Sequence, residues 1–152
     1  ISAILLIFIN ACAGYKPIYK ANLQFEIADY SIKTNKKLGK KIYSKLYNLS
    51  KRQKNSQNIR AIKILINATK NKNTTSKDGT GKILEYKVEL NVSIKINDFL
   101  TNNMIIDQTF ISSTNYKAQD QYFETIKLEN ASIENLINNL YQKLLIELSQ
   151  NI

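Results

Sequence analysis

The strongest constraint on the fold is a strict alternation of apolar and polar residues between positions 84 and 97. The apolar set is Leu84, Tyr86, Val88, Leu90, Val92, Ile94 and Ile96, and the polar set between them is Glu85, Lys87, Glu89, Asn91, Ser93, Lys95 and Asn97. Successive side chains of a β-strand point to opposite faces of its sheet. The pattern therefore predicts a long strand with one face in a core and the other in water.

Three more stretches are predicted to join the same sheet. Alternation is also present from Leu23 to Ala28 and from Ile59 to Thr69, and a polar stretch rich in Asn, Thr and Lys follows the second of these. Asp78 to Gly81 predicts a turn before the long strand, because glycine tolerates positive φ. A last strand is predicted from Met104 to Tyr116, after a loop near positions 98–103.

Two amphipathic helices complete the predicted domain. Thr34 or Asn35 can cap the first helix, whose apolar stripe is Leu38, Ile42, Leu46 and Leu49 and whose other surface carries Lys36, Lys37, Lys40, Lys41 and Lys45. We interpret this as a solvated surface helix packed on the sheet. From Ala118 to Gln150 there is neither Gly nor Pro, and apolar residues recur at helical spacings, namely Phe123, Ile126, Ile133, Ile137, Leu140, Leu144 and Leu148.

These elements predict an α+β fold for a single domain over residues 23–152. Its order is β-α-β-β-β-α, with a four-stranded, mostly antiparallel sheet and both helices on one face. Neither an internal repeat nor a linker divides it.

The N-terminal segment has the composition of an export signal. Ile1 to Ile9 is uncharged and apolar, too short to cross a bilayer as a helix, and typical of a signal-peptide hydrophobic region. It runs into Ile9-Asn10-Ala11-Cys12, which resembles a lipobox, with Asn10 as the departure. We therefore interpret residues 1–11 as a signal peptide truncated at its start, Cys12 as a lipid attachment site, and residues 12–22 as a lipidated tether containing Pro17. The alternative is a buried structural cysteine.

The residue types argue against an enzyme. The chain has no histidine and only one cysteine, so catalytic sites that need His, and metal sites of the Cys and His type, are excluded. Glu85 and Glu89 are the acids nearest to a pair, and the alternation places both on the solvent side of the long strand. We predict neither a cofactor nor a metal.

The charge is unevenly distributed. The net charge is +10. From Ala13 to Lys82 there are 17 basic and 3 acidic residues, a difference of +14, and from Ile83 onward there are 5 and 9, a difference of −4. A basic face favours anionic lipids, nucleic acid or acidic polysaccharide. A Lys-rich composition of the kind expected from an AT-rich genome is the plainer explanation.

A family resemblance begins at the cysteine. Cys12-Ala13-Gly14-Tyr15-Lys16-Pro17-Ile18-Tyr19 resembles the Cys-Gly-aromatic-x-Pro-Leu-Tyr opening of the lipopolysaccharide-assembly lipoprotein LptE family. Ala13 is an insertion relative to that pattern, and Ile18 replaces Leu. The order of elements, Asn115-Tyr116 at the end of the last predicted strand, and the long C-terminal helix extend the resemblance over the chain after Cys12.

The resemblance implies a binding role at the outer membrane. Members of this family are lipidated at the cysteine, plug the LptD β-barrel and assist delivery of lipopolysaccharide to the outer leaflet. We therefore expect a lipid-anchored protein on the periplasmic face of the outer membrane. Lys70, Lys72, Lys77 and Lys82 flank the predicted hairpin tip, and we expect them to contact lipopolysaccharide or a similar acidic lipid.

Two other functions remain open at this stage. The chain could be a different envelope lipoprotein, such as an accessory subunit of a transporter. It could also be a basic nucleic-acid-binding domain, because Tyr30, Tyr43 and Tyr47 lie in the basic half. That second alternative leaves the N-terminal segment unexplained, and we do not expect nucleic acid as a partner.

Overall fold

The chain alternates strands and helices in the predicted order. The computed structural model describes residues 23–51 and 59–152, and its elements are β1 (Phe25–Thr34), α1 (Lys36–Lys51), β2 (Arg60–Lys77), β3 (Ile83–Asp98), β4 (Met104–Lys117) and α2 (Tyr122–Asn151). The segments interpreted as signal peptide and tether, including Cys12, lie outside the described residues.

The four strands form one mixed sheet in the order β1-β2-β3-β4. β2, β3 and β4 are antiparallel neighbours, whereas β1 pairs with β2 in parallel. The parallel pair follows from connectivity, because α1 crosses over the sheet between β1 and β2. The predicted α+β fold with a mostly antiparallel sheet is therefore confirmed.

Both helices cover the same face of the sheet. α1 lies against β1 and β2, and α2 lies mainly against β4 and also against β3. The side chains of β3 that fill the core between sheet and helices are Val88, Leu90, Val92, Ile94 and Ile96, five of the seven in the predicted apolar set. Leu84 is exposed and Tyr86 is half-buried, because β3 begins beyond the apolar core. The opposite face, which we call the open face, is covered by neither of the two described helices and carries Glu85 and Glu89.

β1 is longer than the sequence predicts. Its pairing with β2 shifts between Ile27 and Asp29, so that Ala28 is an extra residue in a β-bulge. After the bulge, the alternation of the two faces is shifted by one residue. The side chain of Ile32 therefore lies on the same helix-covered face of the sheet as that of Ile27. The original alternation therefore ends at Ala28 although the strand runs on to Thr34.

β2 also continues past its predicted end. The polar stretch that follows Thr69 stays paired with β3 as far as Lys77. This stretch lacks apolar residues and so gives no periodicity, yet it lengthens the hairpin beyond the core and places Lys70 and Lys72 on the helix side.

α1 is capped by Asn35, one of the two predicted residues. Its Oδ1 accepts a hydrogen bond from the backbone N–H of Leu38 at 3.0 Å. Thr34 instead adopts a φ of 64°, and its hydroxyl contacts the backbone oxygen of Ala68 on β2. In the helix itself Leu38, Ile42 and Leu46 are buried, as predicted.

α2 departs from the predicted stripe at its start. It begins at Tyr122 rather than Ala118, and Phe123 is exposed. Thr125 and Glu129 are buried in its first half instead.

Candidate functional site

Glu129 is a buried carboxylate at the centre of a polar cluster where the core ends. Its side chain is 10% exposed, and its two carboxylate oxygens accept hydrogen bonds from Lys70 Nζ at 2.7 Å and Lys72 Nζ at 2.6 Å. The two lysines occupy the same face of β2 as Ile66 and Ala68. They therefore continue the core face into a region where α2 offers a carboxylate.

Two tyrosines close the cluster. Tyr116 Oη donates a hydrogen bond to Glu129 Oε2 at 3.0 Å, and the rings of Tyr86 and Tyr116 stack with their centroids 5.6 Å apart. Lys72 Nζ lies 4.2 Å from the centroid of Tyr86. Two ammonium groups around one carboxylate leave the cluster with a net positive charge.

The protonation states follow from these contacts. Burial alone would raise the pKa of Glu129, but the hydrogen bonds from Lys70, Lys72 and Tyr116 outweigh it and lower the pKa to about 2. Burial would likewise lower the pKa of Lys72, and its hydrogen bonds to Glu129 and Tyr116 reverse the direction and raise it. The Lys72–Glu129 ion pair is thus held in its charged form at neutral pH.

Lys77 and Lys82 lie apart from this cluster, at the tip of the hairpin. Asp78 organises the turn, because its Oδ1 accepts hydrogen bonds from the backbone N–H groups of Thr80 and Lys82 at 2.9 and 3.0 Å. Lys82 Nζ contacts Asp120 at 2.8 Å, with side chains that are 61% and 92% exposed. Lys77 is exposed as well.

The four predicted lysines therefore form two pairs. Lys70 and Lys72 share one buried carboxylate, and Lys77 and Lys82 present their charge to solvent. Sequence reasoning missed Glu129, Tyr86 and Tyr116 as members of the site. The available signal was the position of Glu129, four residues after Thr125 and seven before Leu136 on the buried side of α2, since an acid on such a stripe requires a partner.

A cationic cleft lies beside Lys70, between the two helices. Its volume is about 100 Å³, and its lining residues are Asn35, Lys37, Leu38, Lys41, Lys70, Asn130 and Ile133. Lys41 also pairs with Glu134 of α2 at 2.9 Å. The basic surface of α1 and the Glu129 cluster are therefore continuous.

The tyrosines of the nucleic-acid alternative lie together on β1 and α1. The ring centroids of Tyr30 and Tyr43 are 4.0 Å apart, those of Tyr43 and Tyr47 are 5.8 Å apart, and Lys51 Nζ lies 4.8 Å from the Tyr47 ring. Base stacking needs free ring faces. Tyr43 stacks on both of the other rings, so a free ring face in this cluster belongs to Tyr30 or Tyr47, which are 47% and 37% exposed.

Neither a metal site nor a membrane-spanning helix is present in the part of the chain that the structure describes. Within residues 23–51 and 59–152, acidic, His and Cys side chains form no group of three or more that could hold a metal ion. The helices described there are also too short or too polar to cross a bilayer.

Comparison with known proteins gives a fold match without a family assignment. The chain matches no protein-family model and no curated protein. The structure resembles an uncharacterized lipoprotein B of Nitrosomonas europaea, with a TM-score of 0.60, 17% identity, and 87% of this chain and 88% of that chain covered. It also resembles a minor lipoprotein of Acinetobacter baumannii, with a TM-score of 0.57, 16% identity, and coverages of 86% and 92%.

A third similar structure is rare lipoprotein B of Shewanella oneidensis. Its TM-score is 0.53 at 14% identity, and 80% of this chain and 94% of that chain are covered. At such identities the likeness is one of fold. This chain therefore has the fold of several proteins described as lipoproteins, over nearly the whole of their structures.

Proposed function

We propose that this protein is a lipoprotein of the outer membrane, anchored at Cys12 on the periplasmic face, that partners an LptD-type β-barrel in delivering lipopolysaccharide to the outer leaflet. One combined observation carries the proposal. An opening that resembles LptE, from Cys12 to Tyr19, precedes a domain whose fold matches those of the three lipoproteins.

The anchor follows from the chemistry of the lipobox. Lipidation of Cys12 would attach acyl chains, each buried methylene of which contributes about 0.8 kcal/mol to membrane binding. Two or more chains are enough for stable attachment. The folded domain then needs no membrane-spanning helix of its own.

The open face suits a polar partner such as the interior of a large barrel. It carries uncharged hydrogen-bonding side chains, among them Asn67, Asn91, Ser93, Thr109 and Ser113. Its charges are of both signs, as in the pairs Lys63–Asp29 and Lys95–Asp107. Barrel interiors are polar, so we propose this face as the contact with the barrel.

Lys77 and Lys82 are the lysines of the hairpin that are best placed for an acidic lipid. A phosphate that approached Lys70 or Lys72 would compete with the Glu129 carboxylate, which is 2.7 and 2.6 Å away from the two ammonium groups. Lys77 and Lys82 face water, and the carboxylate that Lys82 Nζ contacts belongs to the exposed Asp120. We therefore propose Lys77 and Lys82 for the lipid contact and Lys70 and Lys72 for rigidity of the hairpin.

Co-purification tests the partnership. The full-length protein, supplied with a complete start, would be expressed in a Gram-negative host and recovered from detergent-extracted outer membrane, and its partners identified by mass. We expect to recover acylated protein together with an LptD-like barrel. A Cys12→Ala variant should carry no acyl chains and should recover no barrel. Acylated protein with another envelope complex would indicate the accessory-subunit alternative, and unacylated protein bound to RNA would revive the nucleic-acid alternative.

A second experiment tests the lysine assignment. Binding of purified lipopolysaccharide would be measured at moderate salt for Lys77→Ser/Lys82→Ser and for a control, Lys33→Ser/Lys143→Ser, with the same change in charge. We expect about tenfold weaker binding for the first variant and little change for the control. Equal binding by the two variants would refute the assignment without touching the barrel partnership.

A further inference from the structure

Within the described residues, β4 is an edge strand without the usual protection against pairing with another chain. It pairs only with β3 in the described sheet, and from Ile106 to Lys117 its pairing runs without a shift. The stretch contains neither Pro nor Gly. Edge strands usually carry bulges, prolines or inward charges that prevent pairing with another chain.

The other edge of the sheet is protected in this way. β1 is interrupted by its bulge between Ile27 and Asp29, and Tyr30 is stacked on Tyr43 of α1. The contrast indicates that β4 is left available for another strand to add to the sheet.

The charges of β4 are arranged for pairing with a second copy of itself. Asp107 and Lys117 are its only charged residues and lie equally far on either side of Ser112. A two-fold axis through Ser112 therefore places Asp107 of each copy opposite Lys117 of the other in an antiparallel pair.

The neighbouring strand extends this complementarity. Lys95 of β3 pairs with Asp107 at 2.8 Å, and Glu85 of β3 lies opposite Lys117 in the register. Across the joined sheets the row would read Lys95, Asp107, then Lys117 and Glu85 of the second copy, so that the sign of the charge alternates at each step. Opposite charges on facing strands stabilise the pairing.

α2 offers matching apolar contacts on the same side of the molecule. Leu128 and Ile146 are 39% and 38% exposed, and their separation of about five helical turns places them on one stripe. Glu134, which contacts Lys41 of α1, lies on one flank of the buried stripe of α2, and Leu128 and Ile146 lie on the opposite flank. Leu128 and Ile146 therefore lie on the flank of α2 that faces away from α1 and towards the β4 edge.

The same axis relates these two residues. Tyr116 contacts Glu129, so these two residues mark the same height along β4 and α2. From Tyr116 to Ser112, β4 covers four residues, or about 13 Å. That distance is about nine helical residues, which puts the axis beside Asn138. Leu128 and Ile146 are then at similar distances on either side of the axis, so that Leu128 of one copy contacts Ile146 of the second copy.

We infer that this chain forms a two-fold dimer in which the β4 edges of two copies pair antiparallel about Ser112 and the α2 flanks meet through Leu128 and Ile146. The inference is independent of the proposed lipid and barrel partners.

Charge reversal tests the dimer. The full chain carrying Cys12→Ser, to remove its only thiol, would be studied in non-ionic detergent as Asp107→Lys and as Lys117→Asp, with self-association measured by light scattering over a dilution series. We expect each variant alone to associate about tenfold more weakly than the parent, because like charges then oppose each other twice. An equimolar mixture should regain the parent's association, since each lysine then faces an aspartate. A monomeric parent, or a mixture no better than its components, would overturn the inference.

Cysteines at adjacent positions test the register. In the same Cys12→Ser background, Ser112→Cys should form a disulfide with its counterpart under mild oxidation, because the two positions face each other on the axis. Ser113→Cys should not, because a diagonal pair is separated by more than a disulfide can span. Efficient linkage at Ser113, or equal linkage at both positions, would contradict pairing centred on Ser112.

Discussion

Lys72 Nζ lies 2.6 Å from Oε2 of Glu129, although the two residues are 57 positions apart in the chain. The contact joins the far end of the hairpin to the first half of α2, beyond the apolar core. It is the only place in the described residues where a carboxylate this buried meets two ammonium groups. Beyond the apolar core, the ion pairs of Glu129 with Lys70 and Lys72 therefore attach the β2–β3 hairpin to α2.

Replacement of Glu129 by Gln should destabilise the fold by about 2 kcal/mol, since charge-assisted hydrogen bonds to Lys70 and Lys72 are lost. Chemical denaturation at pH 7 would measure the change. Glu124→Gln, in the exposed first turn of the same helix, is the matched control and should change stability by less than about 0.5 kcal/mol. Equal effects of the two substitutions would mean that the cluster contributes nothing specific.

The same carboxylate predicts a pH dependence. Folding lowers the pKa of Glu129 from 4.5 to about 2, so its stabilising contribution is present above about pH 5 and is lost as the pH falls through the folded value. The difference in stability between the parent and Glu129→Gln should therefore shrink steadily between about pH 5 and pH 2. Thermal unfolding over this range checks the sign; a constant difference would show that the charge of Glu129 is not the cause.

Gly39 is predicted to be intolerant of a side chain. It is buried in α1, where a Cβ atom would collide with Cγ2 of Ile32 on β1. Alanine would gain about 1 kcal/mol of helix propensity, yet we expect Gly39→Ala to destabilise by about 1–2 kcal/mol because the helix must move off the sheet.

A second substitution isolates this steric effect. Ile32→Ala removes the colliding methyl group, so the cost of Gly39→Ala should be much smaller in that background, as measured by a double-mutant cycle. Gly79→Ala, which meets nothing within 4 Å, is the control for glycine replacement itself. An undiminished cost in the Ile32→Ala background would place the strain elsewhere.

Loss of the cap at Asn35 should weaken α1. Its side chain accepts the N–H of Leu38 at 3.0 Å, and we expect Asn35→Ala to cost about 1 kcal/mol in urea unfolding. Asn35→Asp keeps the acceptor and adds a negative charge to a first turn that contains no acid. It should therefore be at least as stable as the parent, and a loss equal to that of alanine would rule out capping as the mechanism.

Asp98 should hold the turn between β3 and β4. Its Oδ1 accepts the N–H groups of Leu100 and Thr101 at 3.0 and 2.9 Å, and Oδ2 accepts Arg60 Nε at 2.8 Å. The hydrogen bonds of Thr101, followed by that of Arg60, lower the pKa of Asp98 from 3.8 to about 2. Asp98→Ala should therefore lower Tm at pH 7, and the difference should narrow as the pH falls from about 4 towards 2. Glu124→Gln, the exposed acid in the first turn of α2 that also serves as the control for Glu129, is the comparison.

Much of the fold could be predicted because local periodicity reports burial. The alternation in β3 and the spacing of Leu38, Ile42 and Leu46 in α1 each have the period of their element, and the buried residues match them. The lysines of the hairpin could be located in the sequence for the same reason, since they flank a recognisable turn.

The candidate site was only partly predictable, because its partners come from distant segments. Lys70 and Lys72 lie in a polar stretch without periodicity, and nothing local indicates that Glu129 would face them. The division of the four lysines into a pair that binds a buried carboxylate and a pair at the exposed hairpin tip depends on where α2 crosses the sheet. The contact with an acidic lipid, which the sequence predicts for all four lysines and which we propose for Lys77 and Lys82, stays a prediction.

The amino-acid sequence by itself determined which segments become strands and helices and which face of each is apolar, because these properties depend on neighbours within one or two turns. Tertiary structure alone decided the parallel placement of β1, the close approach that requires Gly39, the carboxylate shared by Lys70 and Lys72, and the exposure of the β4 edge. Each of these depends on how elements far apart in the chain pack together, and a side chain's partners across such contacts are set by the packing of whole elements rather than by the residues beside it.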